Sequence, residues 1–439
     1  MDALFFLVVL QSFICVNLCP SAVRLSVFSS RNPIPRLTGF HAEFAKPEGI
    51  YFAGNSLGLM PRAAESMVAK LLREWKQHGV EGWSDCGWLD QAERLAPGLA
   101  PLVGAHPDEV IVTGTTTVNL HQLLATFYRP RANKRKILID HHAFPSDRYA
   151  AVSHLRLRDC DPVADLLVVS PRNGQIFAPG ELAEKLSTDV AVAILPSVIF
   201  TTGQLLSLEE LTEATERNEI LLILDCSHSI ACVPHDFHQE RIPLAFWCSY
   251  KYLNAGPGAV GGLFCQRERL GSAPGLAGWW GNQPKTRFDM AFEMQPATNA
   301  SSFQISTPSL LSMAPLAASL EIFQRATISA VRSVSLMLTD LFMKRVREVL
   351  PEFDIVTPAE VNQRGAQVTL RHEEARRISL VLRRRHRIIG DFRAPDFLRF
   401  APVALYNSTE EVEQVVAALR ETLDRRQYLE ITELKELVT

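Results

Sequence analysis

The chain has 439 residues, of which 47% are hydrophobic and 21% are charged, and its formal net charge is −3. A chain of this length can hold two domains, and its composition is ordinary for a globular enzyme. Because the net charge is small, we expect neither nucleic acid nor a membrane as a partner.

The amino-terminal segment, residues 1–35, carries an apolar stretch at residues 3–19. This stretch resembles the core of a signal peptide, but no basic residue precedes it, and Asp2 is unsuited to that position. Three polar residues interrupt it as a membrane span. We therefore predict a cytoplasmic enzyme, with a signal or an anchor at residues 3–19 as the alternative.

The cysteines show no spacing that repeats in a metal-ligand pattern, so no metal site is predicted. Free thiols in a reducing compartment are the simpler interpretation. The eight cysteines are Cys15, Cys19, Cys86, Cys160, Cys226, Cys232, Cys248 and Cys265.

The first elements after this segment are a short strand and turn at residues 49–58 and an amphipathic helix at residues 61–78, which Gly79 ends. Trp83 and Trp88 follow in a glycine-rich loop. An isolated tryptophan is usually a core residue, whereas two in one loop suit an aromatic wall.

Short apolar runs bounded by turn residues then predict a series of strands, and helical patterns separate several of them. This alternation predicts an α/β fold with a mainly parallel sheet, in which ligands gather at the carboxyl ends of the strands. The predicted strands are residues 109–112, 136–140, 166–169, 190–195, 220–224, 245–248 and 260–264.

The carboxyl-terminal part predicts one long helical stretch after Pro308, to about Leu350, and then a smaller α/β arrangement. We expect a large domain of residues 36–308, whose first part contributes to the small domain, and a small domain of residues 309–439. The further predicted elements are strands at 353–356, 366–370 and 397–400 and helices at 373–384 and 409–426, the last capped by Ser408.

Two polar features fall at predicted strand ends. Residues 113–117 are rich in threonine and precede a helix that starts at Val118, which suits a phosphate, although an ordinary threonine cap is the alternative.

Asp225 ends one apolar run and Lys251 follows a later one. Pyridoxal phosphate enzymes use such a pair, the lysine for the aldehyde and the acid for the pyridinium nitrogen. A surface lysine and a turn-capping acid are the alternatives.

Eight segments in one order, over roughly residues 45–425, form a combination more specific than any of them alone. They are residues 51–58 (YFAGNSLG), 117–121 (TVNLH), 144–147 (FPSD), 202–204 (TGQ), 247–255 (WCSYKYLNA), 278–279 (GW), 286–288 (TRF) and 399–408 (RFAPVALYNS). Together they resemble the kynureninase family, which belongs to the fold-type I (aspartate aminotransferase-like) pyridoxal phosphate enzymes.

The resemblance implies pyridoxal 5'-phosphate as cofactor, bound by Lys251 and Asp225, with Phe144 stacked on its ring. Thr116, Thr117 and Tyr250 match phosphate contacts. Trp279 and Thr307 match positions that approach the cofactor from the neighbouring subunit, which implies a homodimer. The remaining matched cofactor positions are Ser146, Asp147 and His228.

The resemblance also implies a reaction, the hydrolytic cleavage of the Cβ–Cγ bond of L-kynurenine and of 3-hydroxykynurenine. Its products are anthranilate or 3-hydroxyanthranilate and L-alanine, in tryptophan catabolism and NAD biosynthesis. Arg399 matches the residue that binds the substrate carboxylate, a task suited to its planar fork. Lys251 and Tyr250 are the expected catalytic residues. Trp88, Asn55 and Ser56 are the other expected substrate-binding residues.

Some positions depart from the animal members of the family. Pro196 stands where they have a cofactor-contacting serine, although Ser197 is adjacent. Thr307 and Trp88 agree with the bacterial members instead. Two other functions stay open. One is a cysteine desulfurase or selenocysteine lyase of the same fold, for which Cys86 is the candidate nucleophile, and the other is an inactive paralogue that acts as a binding protein.

Overall fold

The computed structural model describes Leu37 and residues 39–271 and 273–432, so the apolar stretch at residues 3–19 lies outside the described residues. The described strands are β1 (Phe44–Ala45), β2 (Ile50–Tyr51), β3 (Met60–Pro61), β4 (Val110–Thr113), β5 (Lys136–Asp140), β6 (Leu166–Val169), β7 (Val190–Pro196), β8 (Leu221–Asp225), β9 (Leu244–Cys248), β10 (Gly261–Cys265), β11 (Asp354–Ile355), β12 (Val368–Arg371), β13 (Ile388–Ile389), β14 (Asp391–Arg393) and β15 (Phe397–Phe400).

The α-helices alternate with these strands through the first two thirds of the chain. They are α1 (Arg62–His78), α2 (Gly82–Asp85), α3 (Gln91–Leu99), α4 (Thr116–Phe127), α5 (Pro145–Leu157), α6 (Pro162–Asp165), α7 (Leu208–Arg217), α8 (Leu310–Ala326), α9 (Ile328–Val349), α10 (Ala375–His386) and α11 (Thr409–Asp424).

Seven strands form the central sheet in the order β4-β10-β9-β8-β7-β5-β6. The strands from β6 to β9 pair in parallel, whereas β10 is antiparallel to both β4 and β9. Apart from the edge strand β6, their middle positions are apolar and buried, as in sheets covered on both faces. The predicted α/β fold with a mainly parallel sheet is therefore confirmed, with β10 as the exception.

A second sheet of four antiparallel strands has the order β11-β12-β15-β14. In its register, Asp391 on β14 lies opposite Arg399 on β15. The amino-terminal part of the chain joins this region, because β2 pairs with β13 and Ala53 forms a bridge with Ala401. Residues 54–56, just after β2, are thereby brought to the end of β15.

The predicted single helical stretch from Pro308 to Leu350 is wrong, because two helices occupy it. Thr327 between α8 and α9 has a φ of 58°, which breaks the helix, and its Oγ1 accepts a hydrogen bond from the backbone N–H of Ala330. Among the described helices none alone is long and apolar enough to cross a membrane, although α8 and α9, bent by 83°, pass that test as a pair.

Other predictions agree closely. Strands β5, β6 and β15 have the predicted bounds, and Ser408 caps α11 through a capping box with Glu411. The six described cysteines are free thiols, as predicted. The described residues belong to one compact unit that begins at Pro35. The division at residue 308 into a large and a small domain stays a prediction.

Candidate active site

A cavity of about 230 Å³ opens at the carboxyl ends of the parallel strands. Its walls come from the start of α4, the loop after β5, the ends of β7 and β8, and the turn after β9. Nine of the sequence-predicted cofactor residues line it, namely Thr116, Thr117, Phe144, Ser146, Asp147, Asp225, His228, Tyr250 and Lys251.

Lys251 and His228 meet inside this cavity. The Nζ of Lys251 lies 2.9 Å from Nε2 of His228 and 6.0 Å from the centre of the Phe144 ring. Burial, together with the charge of Lys251, holds the pKa of His228 well below its usual range. The imidazole is therefore neutral, and its Nε2 can accept a hydrogen bond from the lysine ammonium.

Asp225 is the last residue of β8 and shares the cavity with Lys251. Its Oδ1 accepts a hydrogen bond from the backbone N–H of Ser227 at 2.8 Å, which fixes the carboxylate against the turn that carries His228. Burial raises the pKa of Asp225, and the charge of Lys251 opposes this effect.

Two more carboxyl groups line the same cavity. Asp140, which the sequence analysis missed, ends β5 and is 1% exposed, and burial raises its pKa to about 7. Burial and the nearby charge of Asp225 raise the pKa of Asp147 as well. The signal for Asp140 was present, because the predicted strand at residues 136–140 ends in an acid just as the predicted strand at residues 220–224 runs into Asp225.

The start of α4 forms another wall. Thr115 caps the helix, since its Oγ1 accepts a hydrogen bond from Val118 N at 3.5 Å. The helix therefore starts at Thr116, two residues before the predicted start. A Cβ at Gly261 would lie 3.0 Å from the backbone nitrogen of Thr116, so only glycine lets β10 approach this closely.

Tyr250 and Pro196 also line the cavity, and Pro196 is the position that departs from the animal members of the family. Burial raises the pKa of Tyr250, so its hydroxyl keeps its proton at neutral pH. Pro196 lines the cavity, but the adjacent Ser197 turns away and bonds to the hydroxyl of Ser229 at 2.5 Å. Ser197 is therefore no replacement for the missing serine contact.

The expected substrate-binding Arg399 is 1% exposed and is held by an acid of the chain itself. Its Nε donates to Oδ1 of Asp391 at 2.7 Å, and its Nη2 donates to Oδ2 of the same carboxylate. Its Nη1 donates to the carbonyl oxygen of Phe200 at 2.6 Å. Phe200, a second residue that the sequence analysis missed, lines the cavity and packs edge-on against Phe144.

The turn after β2 reaches this arginine. Ser56 donates its hydroxyl to Asp391 Oδ2 at 2.6 Å and lies 3.4 Å from Nη2 of Arg399. Asn55 is buried and donates to Gln367 Oε1 at 3.3 Å. The structure thus places Ser56 in the Arg399 network, whereas Asn55 lies beside it.

Six predicted residues do not line the cavity wall of this chain, namely Arg399, Ser56 and Asn55, described above, and Trp88, Trp279 and Thr307. Trp88 is buried against Gly82, and its Nε1 donates to Glu74 at 3.3 Å. Trp279 is 39% exposed and Thr307 is exposed. Trp279 and Thr307 are the two positions matched to the neighbouring subunit, and that match stays a prediction.

The residues of the cavity fit pyridoxal phosphate. Three carboxyl groups with raised pKa values, those of Asp140, Asp147 and Asp225, surround one amine, so the site favours a cationic ring such as a pyridinium. Backbone N–H groups and hydroxyls at the start of α4 suit a phosphate. Lys251 supplies the amine for an aldehyde.

Cys86, the candidate nucleophile of the desulfurase alternative, does not line the cavity. Burial and the charges of Glu74 and Asp85 raise the pKa of its thiol. A reactive cysteine needs the opposite shift, toward the thiolate. The geometry therefore disfavours this alternative.

A histidine–glutamate cluster lies at the opposite ends of the strands from the cavity. The Oε2 of Glu109 accepts a hydrogen bond from His106 N at 2.8 Å and lies 2.7 Å from Nε2 of His238. Its Oε1 accepts from Arg267 N at 2.9 Å. These hydrogen bonds satisfy the buried carboxylate and account for the cluster without a bound ion.

Comparison with curated proteins finds close relatives of one kind. The chain is 44% identical over 407 residues to a kynureninase of Geobacillus thermodenitrificans, covering 92% of this chain and 95% of that protein. It is 41% identical over the same length to a kynureninase of Bacillus anthracis, with the same coverage. A family model described as the kynureninase C-terminal domain matches residues 331–419.

Solved structures share the fold at low sequence identity. The cysteine desulfurase CsdA from Escherichia coli superposes with a TM-score of 0.72 and 18% identity, covering 90% of this chain and all of that one. A C-DES variant with glycine covalently linked to its PLP cofactor also gives 0.72 and 18%, covering 85% of this chain and 97% of that one. At such identities the likeness shows the fold alone.

Proposed function

The chain belongs to the kynureninase family, and from this premise we propose which of its residues carry the reaction. The protein is a pyridoxal phosphate-dependent hydrolase that cleaves a carbon–carbon bond of kynurenine. The observation that supports the proposed residues is that Lys251, Asp225 and the start of α4 line one cavity.

Pyridoxal phosphate supplies an aldehyde that reacts with amines and a protonated ring that withdraws electrons from the carbon next to the bound nitrogen. In our proposal Lys251 Nζ binds that aldehyde, and Asp225 holds the proton on the ring nitrogen. Thr116 and Thr117 bind the phosphate. Phe144 covers the ring, and Phe200 packs edge-on against Phe144 at 5.6 Å between ring centres.

Lys251 also acts as the base in this proposal. Its Nζ removes the proton from Cα of the substrate and later returns a proton to the product. His228 stays neutral beside it, so its Nε2 can accept an N–H from the amine and orient it. The Tyr250 hydroxyl, which keeps its proton at neutral pH, donates a proton near the cleaved bond. The alternative role for Tyr250 is a phosphate ligand.

Arg399 is our candidate for binding the substrate α-carboxylate, with Ser56 beside it. Its guanidinium packs against Phe200, a residue of the cavity wall, at 5.6 Å between Cζ and the ring centre. A guanidinium binds a carboxylate through two parallel N–H groups. The products proposed are anthranilate and L-alanine, and 3-hydroxykynurenine is the proposed second substrate.

We also propose that the protein acts as a homodimer. Trp279 packs against Phe288 at 5.7 Å, and an exposed apolar surface continues through Met290 and Phe292. Exposed apolar surfaces of this kind mark interaction sites. A second copy that covers this surface would bring Trp279 and Thr307 toward the partner's cavity. A cytoplasmic location and a role in NAD biosynthesis complete the proposal.

One experiment tests the residues and the reaction together. The absorbance spectrum of the purified protein is recorded with added pyridoxal phosphate, then with L-kynurenine, and anthranilate is followed by its fluorescence. We expect a bound-cofactor band and anthranilate release. A protein that stays colourless with the cofactor would favour an inactive paralogue, and sulfide release from cysteine without anthranilate would favour a desulfurase. Sedimentation velocity tests the dimer.

A further inference from the structure

The Arg399 guanidinium has two edges that can bind a carboxylate through paired N–H groups, and one of them is already occupied. Asp391 takes the edge formed by Nε and Nη2, through both of its carboxylate oxygens. The opposite edge, formed by Nη1 and Nη2, meets the carbonyl oxygen of Phe200 and the hydroxyl of Ser56. Arg399 itself does not line the cavity but Phe200 does, so a substrate carboxylate that reaches this edge from the cavity would replace the Phe200 carbonyl and the Ser56 hydroxyl.

The pair is built into the fold. Asp391 and Arg399 face each other across β14 and β15, and both side chains are at most 1% exposed. A buried guanidinium is costly without a counter-charge, and Asp391 supplies one before any substrate binds. Ser56 and Arg393 bond to the same carboxylate, since the Ser56 hydroxyl donates to Oδ2 at 2.6 Å and Nη2 of Arg393 donates to it at 3.3 Å. The arginine therefore has one defined orientation.

We propose that Asp391 is a positioning residue for substrate binding: it holds Arg399 by one edge and thereby presents the other edge to the substrate carboxylate. This inference rests on the proposed role of Arg399. A side chain held in its binding geometry loses less conformational freedom when the ligand arrives, which favours affinity. Asp391 touches neither the cleaved bond nor the cofactor residues of the cavity wall, so the chemical step should depend on it much less.

The test is a set of variants assayed as cofactor-loaded enzyme. Asp391→Asn keeps the shape but loses the charge and one of the two acceptor positions for Arg399. We expect KM for L-kynurenine to rise at least tenfold while kcat changes less than threefold. The dissociation constant of L-alanine, read from the cofactor absorbance, should rise by a similar factor. Asp391→Glu keeps the charge and should recover part of the loss.

Asp396→Asn is the matched control, because Asp396, in the turn between β14 and β15, pairs with Arg371 of the same four-stranded sheet at 2.7 Å, and neither residue lines the cavity. We expect its KM to equal that of the wild type. In an Arg399→Lys background, Asp391→Asn should add little further change in KM, because the residue acts through the arginine.

An unchanged KM in folded Asp391→Asn, or a loss that is purely additive with Arg399→Lys, would overturn the positioning role. If Asp391→Asn does not fold, Asp391→Ser decides, because it also removes the carboxylate but with a smaller side chain, and wild-type KM and alanine affinity in that variant would overturn the role as well. A different result would overturn the proposed function itself: the wild type would then release no anthranilate.

Discussion

The Nζ of Lys251 and the Nε2 of His228 lie 2.9 Å apart, within hydrogen-bonding distance, inside the cavity at the strand ends. Because burial and the lysine charge keep the imidazole neutral, the histidine accepts a hydrogen bond instead of adding a second positive charge. The amine is thereby held beside Phe144, whose ring centre is 6.0 Å away, and in the same cavity as Asp225. This placement supports our proposal that Lys251 is the cofactor-binding lysine.

Replacement of Lys251 by alanine should abolish covalent attachment of the cofactor and nearly all turnover, because the only amine described in the cavity wall is removed. Borohydride reduction followed by mass spectrometry measures the attachment. Lys285→Ala, at an exposed position, is the control and should behave as the wild type. A reducible adduct that persists in Lys251→Ala would contradict the assignment.

Arg399→Lys keeps the positive charge but loses the fork, so we expect the affinity for L-kynurenine to fall by roughly 1.5–3 kcal/mol, the range for hydrogen bonds to charged groups. The variant also leaves part of the Asp391 carboxylate without its donor. Steady-state kinetics measure the effect as a rise in KM. Arg371→Lys, in the ion pair with Asp396, is the control. An unchanged KM in Arg399→Lys would show that another residue holds the carboxylate.

The site residues at the strand ends could be predicted from the sequence, because local patterns of apolar residues mark where the strands end. Apolar runs that end in Asp225 or precede Lys251 predict buried strands, and parallel strands bring their carboxyl ends to one edge. The same rule would have found Asp140 at the end of β5. The lysine–acid pattern of pyridoxal phosphate enzymes assigns only one acid to the ring nitrogen, so it does not mark Asp140.

Other parts of the site depend on contacts that no local pattern shows. Asp391 lies on the three-residue strand β14, and its pairing with Arg399 exists only once β14 and β15 align. Phe200 reaches the cavity from an irregular segment after β7. The helix break at Thr327 is similarly hidden, since a threonine with positive φ has no strong sequence signature.

Thr307 leads us to expect a preference for L-kynurenine over 3-hydroxykynurenine. Trp88, the other position shared with the bacterial members, packs against Gly82 away from the cavity wall and adds nothing to this expectation. Threonine is shorter than asparagine and offers no amide to a ring hydroxyl, and a site without such a partner disfavours burying one. Thr307 is exposed in the single chain and would act across the proposed dimer. The ratio of kcat/KM for the two substrates measures the preference, and Thr307→Asn should shift it toward the hydroxylated one. A wild-type ratio that favours 3-hydroxykynurenine would refute the prediction.

Asp140 should give the protein a pH-dependent stability that Asp140→Asn lacks. Burial raises the pKa of this carboxyl from 3.8 to about 7 in the folded protein, so the folded state keeps a proton that the unfolded state releases. The stabilisation is complete below about pH 4 and is lost as the pH rises through 7, at up to roughly 1.4 kcal/mol per pH unit.

Thermal unfolding of the cofactor-free protein from pH 4 to pH 8 measures this effect as the difference in Tm between wild type and Asp140→Asn. We expect the wild type to lose its relative advantage as the pH approaches 7, and we expect no such trend for Asp85→Asn, at an exposed position. Bound pyridoxal phosphate places a cationic ring near the cluster, which favours the ionised carboxyls and should move the window to lower pH. A Tm difference that stays constant across this range would show that Asp140 is already ionised in the folded protein.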